Sequence, residues 1–178
     1  MVDEDALRAA ALAQRLAAEL AEYSRGDVSA AEGSQAASAD VASIKTSFDE
    51  RIVDGDLRSA TRSRFHTEHY ADAVEAGVKC LCDVIRSRSG SVEDGDALMT
   101  STFSPKAPVL RINAGRSKND ESEQRGHMML CQGVVGSWRN PRAHSLIEDS
   151  PERTLMMLEM IQSLIETTKS STRTRKRK

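Results

Sequence analysis

The chain has 178 residues, with 25 lysines and arginines, 27 aspartates and glutamates, and a net charge of −2. The last six residues, Arg173–Lys178, hold five of the basic groups, so the rest of the chain carries a net charge of −7. This balance argues against a protein whose whole surface binds nucleic acid, so any such contact should be local. The length predicts one domain with appendages.

Cysteine usage and the N-terminal residues bear on location. The three cysteines are an odd number without the spacing of a disulfide framework, which favours a reducing, cytoplasmic environment. The chain begins with acidic Asp3, Glu4 and Asp5, where a signal peptide needs positive charge. No run of eighteen apolar residues occurs, so the sequence predicts neither a signal peptide nor a membrane span.

Residues 1–60 are predicted to form an N-terminal helical and linker region. Residues 3–23 are rich in alanine and repeat leucine every fourth position, which predicts a helix. Residues 24–40 are glycine, serine, alanine and acidic residues, which are typical of a flexible linker. Sparse apolar residues over 41–60 recur every three to four positions and predict a modest helix.

Residues 61–168 are predicted to form an all-α bundle built on a long antiparallel helix pair. The strongest apolar stripe predicts a helix over Phe65–Arg88, and a second long helix should start near Asn119 or Asp120. A third helix should start at Pro151, with Ser150 as its N-cap, and run to Thr168.

The segment between the two long helices is predicted to be irregular. Asp94-Gly95-Asp96 looks like the start of a short helix, whereas prolines, glycine and polar residues make 104–118 a long loop. Apolar residues at 109–112 predict a brief extended segment within this loop.

The C-terminal residues 169–178 have no apolar content to bury and are predicted to be a disordered basic tail. Such a tail can be merely solvated, can bind RNA nonspecifically through its charge, or can act as a nuclear import signal. The RNA-binding interpretation assigns this contact to five residues: Arg173, Arg175, Lys176, Arg177 and Lys178.

The residues around Pro141 carry the strongest chemical signal. Proline should end or kink the second long helix there, leaving Trp138 in the core while Arg139, Asn140 and His144 face a cleft. Histidine can act as acid or base near neutral pH, and arginine offers a permanently charged fork for phosphate oxygens. Asparagine can orient the imidazole or donate to phosphate. These residue types suit RNA cleavage by internal transesterification.

One histidine supplies one proton-transfer group in this segment. A second group would come from a symmetric dimer that combines two sets, or from a water molecule. The structural alternative is a helix C-cap in which Arg139 and His144 satisfy terminal carbonyls. Arg142 is predicted to be an exposed phosphate-binding or surface residue.

Other histidines and cysteines give no comparable signal. His66, His69, Cys80 and Cys82 have spacings that do not suit a tetrahedral zinc site, so the sequence predicts no metal and no cofactor. Cys80 and Cys82 are expected on a helix, one of them partly buried. His127 is expected on a helix surface or in a satisfied interface.

The Arg139–His144 segment, Arg-Asn-Pro-Arg-Ala-His, resembles the R-x4-6-H signature of HEPN domains. Other stretches between about residues 62 and 168 resemble the hypothetical Ymh family in the same order along the chain. They are Phe65-His66 with Tyr70, Ala73-Val74 and Gly77-Val78-Lys79; Asp94-Gly95 with Leu98-Met99; Phe103-Ser104 before Pro108; and Glu123-Gln124 with Gly126.

This resemblance implies a HEPN-type helical bundle, usually dimeric, of a kind common in toxin–antitoxin, abortive-infection and phage-defence systems. It implies a metal-independent endoribonuclease whose active-site positions are Arg139, Asn140 and His144, with RNA as substrate and an antitoxin or defence protein as partner. The alternative is a non-catalytic HEPN module that uses the same cleft for nucleotide or RNA, or for assembly.

Overall fold

The computed structural model of the protein describes residues 42–174, and this part is helical apart from one pair of two-residue strands. The all-α prediction is therefore confirmed. The predictions for residues 3–23 and 24–40, and for Arg175, Lys176, Arg177 and Lys178, lie outside the described residues. The elements are α1 (42–51), α2 (Gly55–His66), α3 (Tyr70–Ser89), α4 (Gly95–Phe103), β1 (Leu110–Arg111), α5 (Lys118–Val134), a π-helical turn (Val135–Arg139), α6 (Asn140–His144), α7 (Pro151–Ser170) and β2 (Thr172–Arg173).

The first two helices replace the single helix predicted over 41–60. A break after α1 ends at Asp54, whose side chain accepts hydrogen bonds from the N–H groups of Asp56 and Leu57, both at 3.1 Å, and so caps α2. Phe48, Ile52 and Leu57 are fully buried. The core of the bundle therefore includes residues that the sequence analysis assigned to the N-terminal region.

The prediction that one helix runs from Phe65 to Arg88 is wrong at its start. Helix α2 ends at His66, and α3 begins at Tyr70 after a turn in which Glu68 has a φ of 66°. Such a left-handed residue cannot continue a right-handed helix. The apolar spacing is irregular here, because Phe65 and Tyr70 are five residues apart with no apolar residue between them.

Helix α3 is the centre of the bundle and packs against α2 and α7. Gly77 allows the close approach of α7, because a Cβ at this position would lie 2.8 Å from Leu158 Cδ2. The predicted stripe of α3 is buried at Val74, Gly77, Val78, Leu81 and Ile85. Helix α3 ends at Ser89, and its C-cap Gly90 adopts the left-handed conformation that glycine favours at this position.

The loop that links α4 to α5 is held by one buried amide. Gln124 accepts a hydrogen bond from the Ile112 N–H at 3.0 Å and donates to the carbonyls of Phe103 and Leu110 at 3.1 Å each. The predicted extended segment is β1, and the predicted short helix is α4. Helix α5 begins at Lys118 after the N-cap Ser117, one residue before the predicted start.

The C-terminal residues correct the prediction of disorder from residue 169. Helix α7 is capped by Ser150, as predicted, but continues to Ser170, and β2 pairs antiparallel with β1. The Thr174 N–H donates to the Val109 carbonyl at 2.9 Å. Backbone hydrogen bonds, rather than apolar burial, order these residues, and composition does not report such bonds.

No helix within residues 42–174 is long and apolar enough to cross a membrane.

Candidate functional site

Of the two predicted effects of Pro141, ending or kinking the second long helix, the first is wrong, because the chain stays helical through this residue. Helix α5 passes into the π-helical turn Val135–Arg139 and then directly into α6. The Asn140 N–H donates to the Val135 carbonyl, five residues back. Proline has no N–H and normally clashes with the carbonyl four residues earlier. The wider π turn relieves that clash, and such turns are frequent at functional sites.

Arg139 contacts a carboxylate rather than a backbone carbonyl. Its Nη1 and Nη2 atoms both donate to Asp94 Oδ2 at 3.1 Å, and Arg86 Nη1 donates to Asp94 Oδ1 at 2.9 Å. Burial opposes ionisation of Asp94, but the Gly95 N–H and the two guanidiniums outweigh it and hold the pKa of that carboxyl below its usual value. Arg139 is therefore oriented by an ionised aspartate that also faces Arg86.

Arg142 is not the exposed residue that the sequence analysis predicted. Its Nε and Nη2 atoms each donate to one Asp149 oxygen at 2.7 Å, and its Nη1 donates to the Trp138 carbonyl at 2.9 Å. Only 4% of the Arg142 side chain and 1% of the Asp149 side chain are exposed. These internal bonds occupy all three guanidinium nitrogens, so Arg142 is not free to bind phosphate in a bidentate manner. Arg142 instead anchors α6 to the segment before α7.

Asn140 and His144 are both exposed on α6. Within residues 42–174, the His144 side chain makes no hydrogen bond or ion pair, and the side chains of Arg139 and His144 do not bond to each other. The helix C-cap alternative does not describe these two side chains, because the carbonyl contact in this turn comes from Arg142. A single chain thus presents the predicted groups on one helix end without joining them.

Arg173 lies in β2 rather than in a disordered tail. Its guanidinium lies close to Gly90, where an added Cβ would be 2.8 Å from Arg173 Nη2. The side chain is exposed at this position. The structure therefore places Arg173 beside the C-terminal end of α3.

His127 lies in the core, contrary to the expectation of a surface or interface position. It is 6% exposed, its ring meets that of Phe103 edge to face at 4.7 Å, and its Nε2 lies 3.7 Å from Cys131 Sγ. Burial lowers the pKa of His127 to about 4. Its spacing of four residues from Cys131, on the predicted core stripe of α5, is the sequence signal that points to burial.

The described residues contain neither an exposed cysteine nor a metal-binding cluster. Cys80, Cys82 and Cys131 are free thiols and all are buried, so the expectation that one of Cys80 and Cys82 is only partly buried is wrong. Burial raises the pKa of Cys80 and of Cys82 to about 11. The described part of the chain contains no group of three or more histidine, cysteine or acidic side chains that could hold a metal ion.

Comparison with known proteins gives one match. A family model described as "Protein of unknown function (Hypoth_ymh)" matches residues 51–167, from the end of α1 into the last turns of α7. No curated protein and no solved structure matches the chain. The matched range contains Asp94 and the whole Arg139–His144 segment.

Proposed function

The chain belongs to the Hypoth_ymh family of unknown function, and we propose that it is a metal-independent endoribonuclease of the HEPN type. Arg139, Asn140 and His144 are its active-site residues, and the biological role is that of a toxin or phage-defence effector. One observation carries the proposal. The π-helical turn continues the helix through Pro141 and leaves Asn140 and His144 exposed beside an oriented guanidinium.

The proposed reaction needs two proton-transfer groups and a positive charge beside the phosphorane, and each chain supplies one histidine and one arginine. The ribose 2′-oxygen attacks the adjacent phosphorus, the bond to the 5′-oxygen breaks, and a 2′,3′-cyclic phosphate and a 5′-hydroxyl result. The imidazole of His144 accepts the proton of the 2′-hydroxyl, and a second group, the protonated His144 of another copy of the chain or a water molecule, donates a proton to the 5′-oxygen. Arg139 stabilises the negative charge of the phosphorane. Asn140 orients the imidazole or donates to a phosphate oxygen.

Buried contacts fix the position of these groups. The buried pair of Arg142 and Asp149 holds α6, and the Arg142 bond to the Trp138 carbonyl holds the preceding turn. Catalytic side chains require this kind of rigid support, because small displacements reduce rates strongly. Buried anchors thus alternate with exposed polar groups along one short segment.

A second copy of the chain completes the proposed site, because each chain contributes one histidine to it. The face of α5 next to the site exposes Met129 by 60% and Leu130 by 47%. On the same helix and the turn after it, a Cβ added at Gly133 or Gly136 would meet nothing within 4 Å. Exposed apolar side chains beside open glycines allow another helix to approach closely, and a two-fold dimer would bring two Asn140–His144 sets together.

The dimer is tested by light scattering on wild type, Met129→Glu and the control Met160→Glu. Met160 lies on α7 and is 38% exposed, so its substitution introduces the same charge away from the proposed interface. We expect a dimer for wild type and the control and a monomer for Met129→Glu. Three identical masses would contradict the proposed face.

The activity is tested with purified protein and single-stranded RNA in excess EDTA. The proposal predicts fragments that end in 2′,3′-cyclic phosphate. This product shows that the ribose 2′-oxygen, and not a water molecule, attacked the phosphorus. Cleavage that stops in EDTA, or fragments with 5′-phosphate ends, would contradict the mechanism. His69→Ala is the matched control for His144→Ala, because His69 is an exposed histidine outside the segment.

One observation favours the alternative of a non-catalytic binding or assembly module. Asp94 already occupies both Nη atoms of Arg139, so a phosphate has to share or displace that carboxylate. Under this alternative, the protein binds nucleotide or RNA without cleaving it, and His144→Ala leaves its biological effect unchanged. Loss of toxicity in His144→Ala with RNA affinity retained favours the enzyme.

A further inference from the structure

A groove of about 720 Å³ lies along α2 and α3. We call it the α2–α3 groove. It is lined by Asp56, Ser59, Ala60, Arg64, Ala76, Lys79, Cys80, Asp83, Val84, Ser87, Arg88 and Lys169. Consecutive residues of an α-helix are about 100° apart, so Arg86, which reaches Asp94, lies roughly 120° around α3 from Cys80. The groove and the proposed active site are therefore neighbouring surfaces, joined by Arg86, which donates to Asp83 in the groove lining and to Asp94 beside Arg139.

Basic side chains stand along the whole length of this groove. Ala76 and Arg88 are twelve residues apart on α3, which corresponds to about 18 Å. Arg64 lies near the turn that joins α2 to α3, whereas Arg88 and Lys169 lie at the opposite end, near Asp56. The lining holds four cations and two carboxylates in a protein whose overall charge is negative.

Two of these cations have no carboxylate partner within residues 42–174. The Arg64 side chain donates to the Ala60 carbonyl, and Arg88 Nη2 donates to the Ser171 carbonyl at 2.6 Å. The Nε atom of Arg88 is buried and has no hydrogen-bond partner among the described residues. Arg88 therefore gives the groove a positive charge that no carboxylate of the described residues neutralises.

The middle of the groove is weakly polar. Ala60, Ala76 and Val84 line it together with Cys80, whose pKa burial raises to about 11, so the thiol adds no negative charge near neutral pH. Ser59 and Ser87 add hydroxyl groups. This combination suits a chain of phosphates with sugars between them, because guanidiniums bind phosphate oxygens and apolar surface accommodates the sugars.

We propose that the α2–α3 groove binds the sugar–phosphate backbone of single-stranded RNA, with Arg64 and Arg88 as its phosphate contacts. The groove deepens the proposed function, on which the choice of RNA rests, by giving the substrate a second contact. It binds without regard to sequence, since it offers charge and hydroxyls rather than a base-reading edge.

Fluorescence polarisation of a labelled 2′-O-methyl oligouridine tests this contact over a series of salt concentrations. The methyl group blocks cleavage, so binding is measured independently of catalysis. For single strands, each phosphate contact contributes about 0.7 to the slope of log affinity against log salt. We expect Arg64→Gln to lower this slope by about 0.7 and the double variant Arg64→Gln/Arg88→Gln to lower it by about 1.4.

The matched control is Arg116→Gln/Lys118→Gln, which removes the same charge from two exposed residues outside the groove. Arg64→Gln alone keeps the test valid if loss of the Arg88–Ser171 bond unfolds the double variant. An unchanged slope in Arg64→Gln, or an equal loss in the control, overturns the proposal. So does binding of a glutamate polymer in preference to the oligonucleotide.

Failure of the groove and failure of the proposed activity give different results. A wild-type protein that binds through Arg64 but does not cleave unmodified RNA supports the groove and refutes the endoribonuclease. A protein that cleaves RNA while Arg64→Gln keeps the wild-type salt slope refutes the groove alone.

Discussion

Substitution of Asp149 by alanine tests the anchor beneath the proposed site. Asp149 is the carboxylate partner of Arg142, and their side chains are 1% and 4% exposed. Alanine would leave the guanidinium buried without its counter-charge. Removing one partner of a buried ion pair costs about 3–5 kcal/mol, far more than the pair contributes relative to an apolar replacement. We expect a loss of that size in the free energy of unfolding.

A double variant separates the charge from the packing. Arg142→Met/Asp149→Leu removes both buried charges, and the main loss is the donor to the Trp138 carbonyl, at a cost of about 1–3 kcal/mol. The 3.9 Å ion pair of Asp149 with Arg153 is lost as well, but it contributes little because the Arg153 side chain is 64% exposed. The double variant should therefore be more stable than Asp149→Ala. The single Trp138 of the chain lies next to this pair, so its fluorescence during urea unfolding reports the transition.

An exposed ion pair provides the comparison. Glu159 pairs with Arg51, whose side chain is 54% exposed, so Glu159→Ala should change stability by no more than about 1 kcal/mol. The reasoning is refuted if Asp149→Ala loses less than about 1 kcal/mol, or if the double variant is as unstable as the single one.

Three further predictions follow from buried or bridging side chains. His127 takes up its proton near pH 6.5 when unfolded but near 4 when folded, so stability should fall by about 3 kcal/mol as pH drops through this range. Urea unfolding at several pH values should show this fall in wild type but not in His127→Gln, and an identical pH dependence in both would contradict it. Gln124→Leu leaves an N–H and two carbonyls without their partner and should cost about 3 kcal/mol or more in the same assay; a loss below about 1 kcal/mol would show that the amide is dispensable. Asp94→Asn removes a charge that repels phosphate and loosens Arg139, so RNA should bind more tightly while the rate constant for cleavage falls. Binding titrations and single-turnover assays measure the two effects. An RNA affinity and a rate constant that both rise, or that both fall, would count against this role.

The helices were predictable where a repeated pattern marks them. The apolar stripes of α3 and α7 and the start of α7 at Ser150 and Pro151 follow from local spacing and chemistry. The turn at Glu68 leaves a weak sequence signal, a single five-residue step between the apolar Phe65 and Tyr70, and no proline or glycine marks it. Strand β1 was predicted as an extended segment, but β2 and its pairing with β1 were not, since a two-residue strand without apolar residues leaves no periodic signal.

The candidate site was predictable as a segment but not as an arrangement. Sequence alone singled out Arg139 to His144 from their chemistry. It could not separate the exposed side chains from the buried Arg142, because that depends on Asp149, seven residues away across a non-helical segment. Nor could it identify Asp94 as the partner of Arg139, since 45 residues separate them and only the packed helices bring them together.

The initial rate of RNA cleavage in EDTA, compared between wild type and His144→Ala, tests the central claim most directly. The account predicts a fall of about 10²–10⁴-fold in His144→Ala, the usual contribution of a positioned acid or base, while His69→Ala retains the wild-type rate. Equal rates for wild type and His144→Ala, or no cleavage by the wild type at all, would contradict it.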